Sequence, residues 1–441
     1  MELKDLCQKI LKETPFEAEV YAASSNIFSV EVRSQKTQSI SSGRTLGIAL
    51  RLLNDKKVGF SYSNTFDTET LIKKAVDNLK FSSSDNLFHF ATPLPSPKVP
   101  CFFDKTIAAT SAEEKIELAM KIEAAAYAFD RRITNTESAS YSDEEYEICI
   151  ATSGGFSGSY SKTLCGGSMQ AISQENGSSE EGYCVKQYEK LSEFCPEEIG
   201  RKAALNATEL LGGNLIKSAT MPVVLSPLVS TQFLAAAVPI FTAENVRKGK
   251  SLFAGKLGRQ CGTEKLTLIE DALLQGGLAS RPFDDEGLPS KRTELIKNGI
   301  LKSFLHNLDS AAKESAVSTS SASRNSFKVP PSIGTTNLYI EQGKTSPEDL
   351  LLAAGKGLYV TRVMALHSLN PISGDFSLGA AGIMIENGKK SFPVRGITIA
   401  GNLAELFLAV KNTGNDLEFF PETGYCGSPS LLIEKLAVSG E

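Results

Sequence analysis

Glu294-Leu295-Ile296-Lys297-Asn298-Gly299-Ile300-Leu301-Lys302-Ser303-Phe304-Leu305 sets two short apolar runs on either side of an Asn-Gly pair. A type I′ turn needs two successive residues at positive φ, and Asn followed by Gly fills those positions at low steric cost. The stretch therefore predicts a β-hairpin. The same signature returns at Asn387-Gly388, between Gly382–Glu386 and Lys390–Val394. Ser346-Pro347-Glu348-Asp349 and Asn402-Leu403-Ala404-Glu405 read as capped helix starts between such hairpins. Meanders alternating with lone helices predict an α+β chain with mainly antiparallel sheets and packed helices, rather than a doubly wound parallel sheet.

Working back toward the N-terminus, Leu3, Leu6, Ile10 and Leu11 recur at helical spacing before Pro15. From Glu19 to Ser63 the period becomes that of strands, with Leu46–Leu53 and Val58–Tyr62 as apolar runs. Gly43, Gly47 and Gly59 punctuate them as in a meander. Asp67 caps a helix running to about Leu79, and Ser111-Ala112-Glu113-Glu114 is a capping box opening another. Between them, Phe81–Pro100 carries prolines at 93, 95, 97 and 100 and reads as a linker over the surface. Strands are expected around Glu145–Ala151, Gly158–Thr163 and Ser168–Gln174, then a helix from Pro196 stopped by Gly212-Gly213. A shift toward Gly and short β runs follows. It predicts a boundary near residue 216, with an N-terminal α+β domain over 1–215 and a C-terminal domain over 216–441.

Composition narrows the function classes. The chain has 441 residues, 46 of them basic and 51 acidic, for a net charge of −5. No cationic excess exists to neutralise a phosphate backbone, which argues against a nucleic-acid partner. No apolar run is long enough to cross a membrane. Met1-Glu2-Leu3-Lys4-Asp5 lacks the basic-then-apolar pattern of a signal peptide, and the eight cysteines form no C-x-x-C pair. Reduced thiols and a cytoplasmic location are the expectation.

Self-contained catalytic motifs are absent. Gly155-Phe156-Ser157-Gly158 lacks the last glycine of a nucleophile elbow and reads as a turn between strands. Gly43-Arg44-Thr45-Leu46-Gly47 lacks the lysine of a phosphate-binding loop and reads as a strand turn. Ser318-Thr319-Ser320-Ser321-Ala322-Ser323 reads as a solvated, mobile loop. The three histidines, His89, His306 and His367, are scattered, so no local metal pair is written. Asp284-Asp285-Glu286 is acidic enough for a cation, but consecutive residues of an extended segment point to opposite faces, so a solvated or turn-forming role is expected.

The order of several segments nonetheless resembles the TldD/PmbA family, and within it the PmbA (TldE) branch. These are Phe283-Asp284-Asp285-Glu286-Gly287-Leu288-Pro289, the hairpin at Asn298-Gly299, Asn370-Pro371-Ile372-Ser373-Gly374-Asp375-Phe376-Ser377, Gly379-Ala380-Ala381-Gly382, Glu386-Asn387-Gly388 and Thr398-Ile399-Ala400-Gly401-Asn402-Leu403. Gly47, Arg51, Gly59 and Asp130-Arg131-Arg132-Ile133 match in the first half. The resemblance implies a two-domain subunit that dimerises within a cytoplasmic peptidase acting on peptides, by addition of an extended strand to a sheet edge. In the TldD branch it implies an H-E-x-x-x-H zinc helix with a late cysteine. Here the corresponding residues are Leu234-Ala235-Ala236-Ala237-Val238-Pro239, with neither histidine nor carboxylate, and Cys426 stands at the cysteine position. The resemblance thus implies a chain with no catalytic or cofactor-binding residues of its own. Leu234, Ala235 and Pro239 mark a degenerate ligand helix, Cys426 is a remnant, and zinc is expected only in a TldD-like partner subunit. A non-catalytic, peptide-binding homodimer is the alternative, and a hydrolase using Cys426 or a loop serine is a weaker third.

Overall fold

The computed structural model describes residues 2–85, 87–95 and 102–441. The first helix, α1 (Leu3–Glu13), buries Leu3, Leu6, Cys7 and Ile10, the stripe its sequence period calls for. A single six-stranded antiparallel sheet follows, made of β1 (Glu17–Arg33), β2 (Lys36–Asn54), β3 (Lys57–Ser63), β4 (Ile133–Thr152), β5 (Ser157–Glu175) and β6 (Ser178–Tyr188). Its order is β3-β2-β1-β4-β5-β6. The helices around it are α2 (Thr68–Asn78), the short α3 (Lys105–Ala109), α4 (Ala112–Phe129) and α5 (Pro196–Thr208). Asp67 caps α2 through the amide of Thr70, and Ser111 and Glu114 complete the capping box of α4.

One glycine pair expected to punctuate strands does not, and one expected gap between strands is absent. Gly43 and Gly47 lie inside β2, which runs unbroken. A Cβ at Gly47 would sit 2.0 Å from the Phe327 ring, so this glycine serves a close approach and not a turn. Gly166 and Gly167 lie inside β5, joining what the sequence suggests are two strands. A side chain at Gly167 would meet Ile122 of α4 and Ile199 of α5, so its absence lets the helices settle on the sheet.

The C-terminal half adds five α-helices, the first of them α6 (Pro227–Ala237), and fourteen strands. These are β7 (Ala219–Leu225), β8 (Leu268–Asp271), β9 (Arg292–Lys297), β10 (Ile300–Leu301), β11 (Ala322–Ser323), β12 (Ser332–Ile333), β13 (Leu338–Ile340), β14 (Gly357–Met364), β15 (Asp375–Glu386), β16 (Lys389–Asn402), β17 (Val410–Thr413), β18 (Glu418–Phe420), β19 (Cys426–Ser428) and β20 (Leu431–Ser439). One sheet runs β16-β15-β14-β7-β20-β17, and an extra pairing of β16 with β20 closes five of its strands into a ring without free edges. A second sheet runs β10-β9-β8-β13-β19-β18. Both Asn-Gly turns have the expected left-handed residues, with φ of 47° and 78° at Asn298-Gly299 and 51° and 71° at Asn387-Gly388. Pairings between the named strands are antiparallel except β7 with β14 and β13 with β19. The architecture is α+β.

Three loop expectations need correction. Ser318–Ser323 is not solvated: Ser318, Ser320 and Ser321 are buried, and Ser318, Thr319 and Ser321 all donate to the carbonyl of His306. The described part of the proline-rich linker does not simply cross the surface. Phe90 and Ala91 are buried, and the rings of Phe88 and Phe90 rest against Arg51. Pro97 and Pro100 lie outside the described residues, as do Met1 and Cys101. Finally, Asp284-Asp285-Glu286 does form a turn, but it is fully enclosed.

Candidate functional site: the seam between the two halves

That turn is the centre of the seam. Glu19 and Arg51 are cross-strand neighbours on β1 and β2, and the guanidinium grips the carboxylate in two places, Nε to Oε1 at 2.8 Å and Nη2 to Oε2 at 2.5 Å. The same Arg51 reaches Glu286 Oε1 at 3.2 Å, and Arg324 donates to Glu19 from the other side. Asp285 takes the Arg324 amide at 2.7 Å and Arg281 Nη1 at 3.1 Å. Asp284 accepts from the amides of Glu286, Leu288 and Ala322, and Glu286 Oε2 from the amide of Leu308. Consecutive acids converge because tight-turn backbone, with Gly287 at φ +89°, replaces the extended geometry under which they would diverge.

The charges nearly balance. Glu19, Asp284, Asp285 and Glu286 face Arg51, Arg281 and Arg324, leaving one carboxylate in excess. Burial, reinforced by the neighbouring Glu286, pushes the Asp284 carboxyl up to about 7. Glu19 is drawn below the usual carboxylate range by Arg51 and Arg324, against the opposing effect of burial. Apart from Arg281 Nε, which has no hydrogen-bond partner, these groups pair with one another or with nearby backbone, and the cluster thereby joins the two halves.

The segment that the resemblance sets opposite the zinc helix lies in the adjacent core. Leu234 is fully buried in the hydrophobic cluster that also holds Phe233, Leu338 and Cys426, and Ala235 packs against that cluster. The six residues do not share one helix: α6 ends at Ala237, and Val238–Phe241 is a 3₁₀ turn containing Pro239. Pro239 lacks an amide donor, and its carbonyl is held by the side chains of Asn245 and Thr242. Cys426, on β19 beneath α6, is 1% exposed, and burial pushes its thiol up to about 12. A neutral thiol among hydrocarbons is a poor zinc donor, since the metal needs the thiolate. These residues do not fit zinc. Among the described residues no three His, Cys, Asp or Glu side chains converge as a metal site. His306 is buried with Nδ1 at 3.4 Å from Ser310 Oγ, a satisfied structural histidine.

Along the seam, the outer side of β6 faces β18. Lys186 and Glu418 join them in an ion pair, and Tyr425 donates to Gln187 at 2.9 Å. Open space lies on either side of that pair. One cavity of about 340 Å³ is lined by Tyr183, Lys202, Glu209, Gln232, Tyr359 and Arg362, among others; the second, of about 610 Å³, has Lys190, Asn337 and Phe419 in its walls. Desolvation pushes the Glu209 and Glu422 carboxyls of the first cavity upward. Neither Lys186, Glu418 nor the β6 edge carries a sequence signal. Of the seam residues, only Arg51 and the acidic turn stand among the family-like segments.

Comparison with known proteins agrees along the whole chain. Residues 18–81, 105–211 and 218–440 match domain 1, the central domain and the C-terminal domain of the PmbA/TldA metallopeptidase description. Metalloprotease PmbA of Escherichia coli O157:H7 is 29% identical over 432 residues, covering 96% of this chain and 92% of that one. A metalloprotease TldD homolog of Haemophilus influenzae is 26% identical, with 89% and 86% covered. The crystal structure of TldE from Thermococcus kodakarensis superposes with a TM-score of 0.91 at 21% identity, over 99% of this chain and all of that one, and so shares its fold. The chain belongs to the PmbA/TldD metallopeptidase family.

Proposed function

We propose that this chain is a metal-free, PmbA-like subunit of a TldD-type peptidase assembly acting on peptides or unfolded protein in the cytoplasm, with hydrolysis carried out on a zinc-bearing partner. One observation carries the reading. The segment that corresponds to the family's zinc helix is filled with Leu234, Ala235 and Pro239 and packed against a neutral Cys426, so this chain has no means of activating water there. Its own contribution is to hold peptide. The cavities on both sides of Lys186–Glu418 leave room for an extended chain beside β6, although its Glu181 and Tyr183 carbonyls already accept from Arg362 and Asn206.

Metal analysis beside peptidase assays on a denatured protein tests this, with and without a TldD-type subunit and with and without chelator. The purified chain should hold no stoichiometric zinc and cleave nothing alone, while the pair cleaves and stops on chelation. Turnover by the chain alone that survives chelator but vanishes in Cys426→Ala would promote the thiol hydrolase instead. A stable zinc-free dimer of this chain that binds peptide and ignores TldD-type subunits would favour the homodimer.

A further inference from the structure

Strand β2 has a neighbour on its outer side only from Ile48 to Asn54, where β3 pairs with it. From Lys36 to Leu46 no strand lies beside that edge. Residues 34–45 are exposed without interruption, although β1, their inner neighbour, buries Val30 and Val32 under α4. Ile40 stands opposite Val30 and is 52% exposed, so the apolar layer under α4 runs out to an uncovered rim. An extra residue at Gln38, at the hairpin end, leaves Ser39–Leu46 regular.

Proteins normally shorten, bend or cover such an edge, because its unpaired N–H and C=O groups invite another strand. This one is braced. The hairpin turn places Ser34 and Gln35 at φ of 52° and 55°, a region that non-glycine residues enter only when their surroundings hold them there. Both amides donate to the carboxylate of Glu123, at 2.7 and 2.6 Å, and Glu123 is itself fully buried in α4. A buried anion thus fixes the far end of the arm in an extended form, which lowers the ordering cost of docking.

Charge selects the occupant. Arg33, Lys36 and Arg44 bracket the edge, and among the described residues none of the three has a side-chain ion pair or hydrogen bond. Two copies pairing about Ile40 would set Arg44 of each beside the Arg33–Lys36 end of the other, and like charges across strands repel. We infer that the Lys36–Leu46 edge receives a strand of a different polypeptide, one with Asp or Glu at both ends of a β-branched run and an apolar residue to cover Ile40. On the subunit reading proposed above, that strand belongs to the partner subunit.

The full-length chain can be tested alone, with a fluorescent Thr/Val-rich peptide carrying glutamate at both ends and with its lysine counterpart. Anisotropy measures affinity, and amide exchange followed by mass spectrometry locates the contact. The glutamate peptide should bind and slow exchange across residues 36–46. The double variant Lys36→Glu, Arg44→Glu should weaken that binding about tenfold and favour the lysine peptide. Its melting temperature should stay unchanged, because both side chains are exposed. Unaltered exchange at 36–46 with either peptide overturns the inference, as does equal binding of the two peptides there. A wild-type dimer that dissociates in the double variant also overturns it, in favour of a second copy. These readouts involve neither zinc nor cleavage, so their failure is distinct from failure of the subunit reading.

Discussion

Arg51 and Glu286, 235 residues apart in the chain, meet at 3.2 Å inside the seam, where they are 5% and 1% exposed. Arg51 also grips Glu19 at two points, and two phenyl rings cover its outer face. Removing it would leave Glu19 with Arg324 alone and Glu286 with only the Leu308 amide.

Arg51→Met should therefore cost about 3–5 kcal/mol of unfolding free energy, the penalty typical of a buried pair broken on one side. Arg51→Lys should recover part of it, since a lysine keeps the charge but loses the bidentate grip. Urea denaturation measures both. A loss below about 1 kcal/mol in Arg51→Met would show that the seam does not depend on this contact.

Glu270 offers a pH-dependent counterpart. Its Oε1 accepts from the Thr336 amide and hydroxyl at 2.6 and 2.5 Å, its Oε2 has no partner, and burial pushes the carboxyl from 4.5 up to about 7. Between those values the unfolded chain has released the proton and the folded chain has not, so this group lowers stability as pH rises from about 4.5 to 7. Glu270→Gln removes the slope. The variant should gain on wild type by up to about 3 kcal/mol across that window, read from denaturation curves at several pH values. Parallel curves for the two proteins would refute it.

Thiol labelling should separate two cysteines. Cys195 is exposed, whereas Cys426 is enclosed and pushed up to about 12. With a limiting alkylating reagent at neutral pH, peptide mapping should find Cys195 modified in the folded chain and Cys426 only after denaturation. Early labelling of Cys426 would contradict its burial as a neutral thiol.

Writing the ligands back should not make an enzyme. Leu234→His, Ala235→Glu and Pro239→His would place polar groups against a hydrocarbon core, at about 1–3 kcal/mol for each one left unsatisfied. Position 239 also lies beyond the end of α6, so the two imidazoles would not share a helical track. The triple variant should melt earlier than wild type and bind no stoichiometric zinc. Tight zinc binding together with a raised melting temperature would mean that the site geometry survives intact.

Local chemistry made much of this protein legible from its residues. Asn298-Gly299 and Asn387-Gly388 dictate left-handed turns, Ser111 and Glu114 cap a helix, and Leu3, Leu6 and Ile10 declare a buried stripe, because each depends on neighbours within a few positions. Long-range packing decided the rest. Gly47 looks like a strand break until Phe327 is set against it, and β5 reads as two strands until Gly167 lets two helices settle on the sheet. Asp284-Asp285-Glu286 reads as a solvated turn until Arg51, Arg281 and Arg324 arrive from elsewhere in the chain. A serine-rich loop becomes interior once His306 offers it a carbonyl. Whether a polar residue is buried depends on which distant partners can satisfy it, and that pairing exists only when the chain has folded.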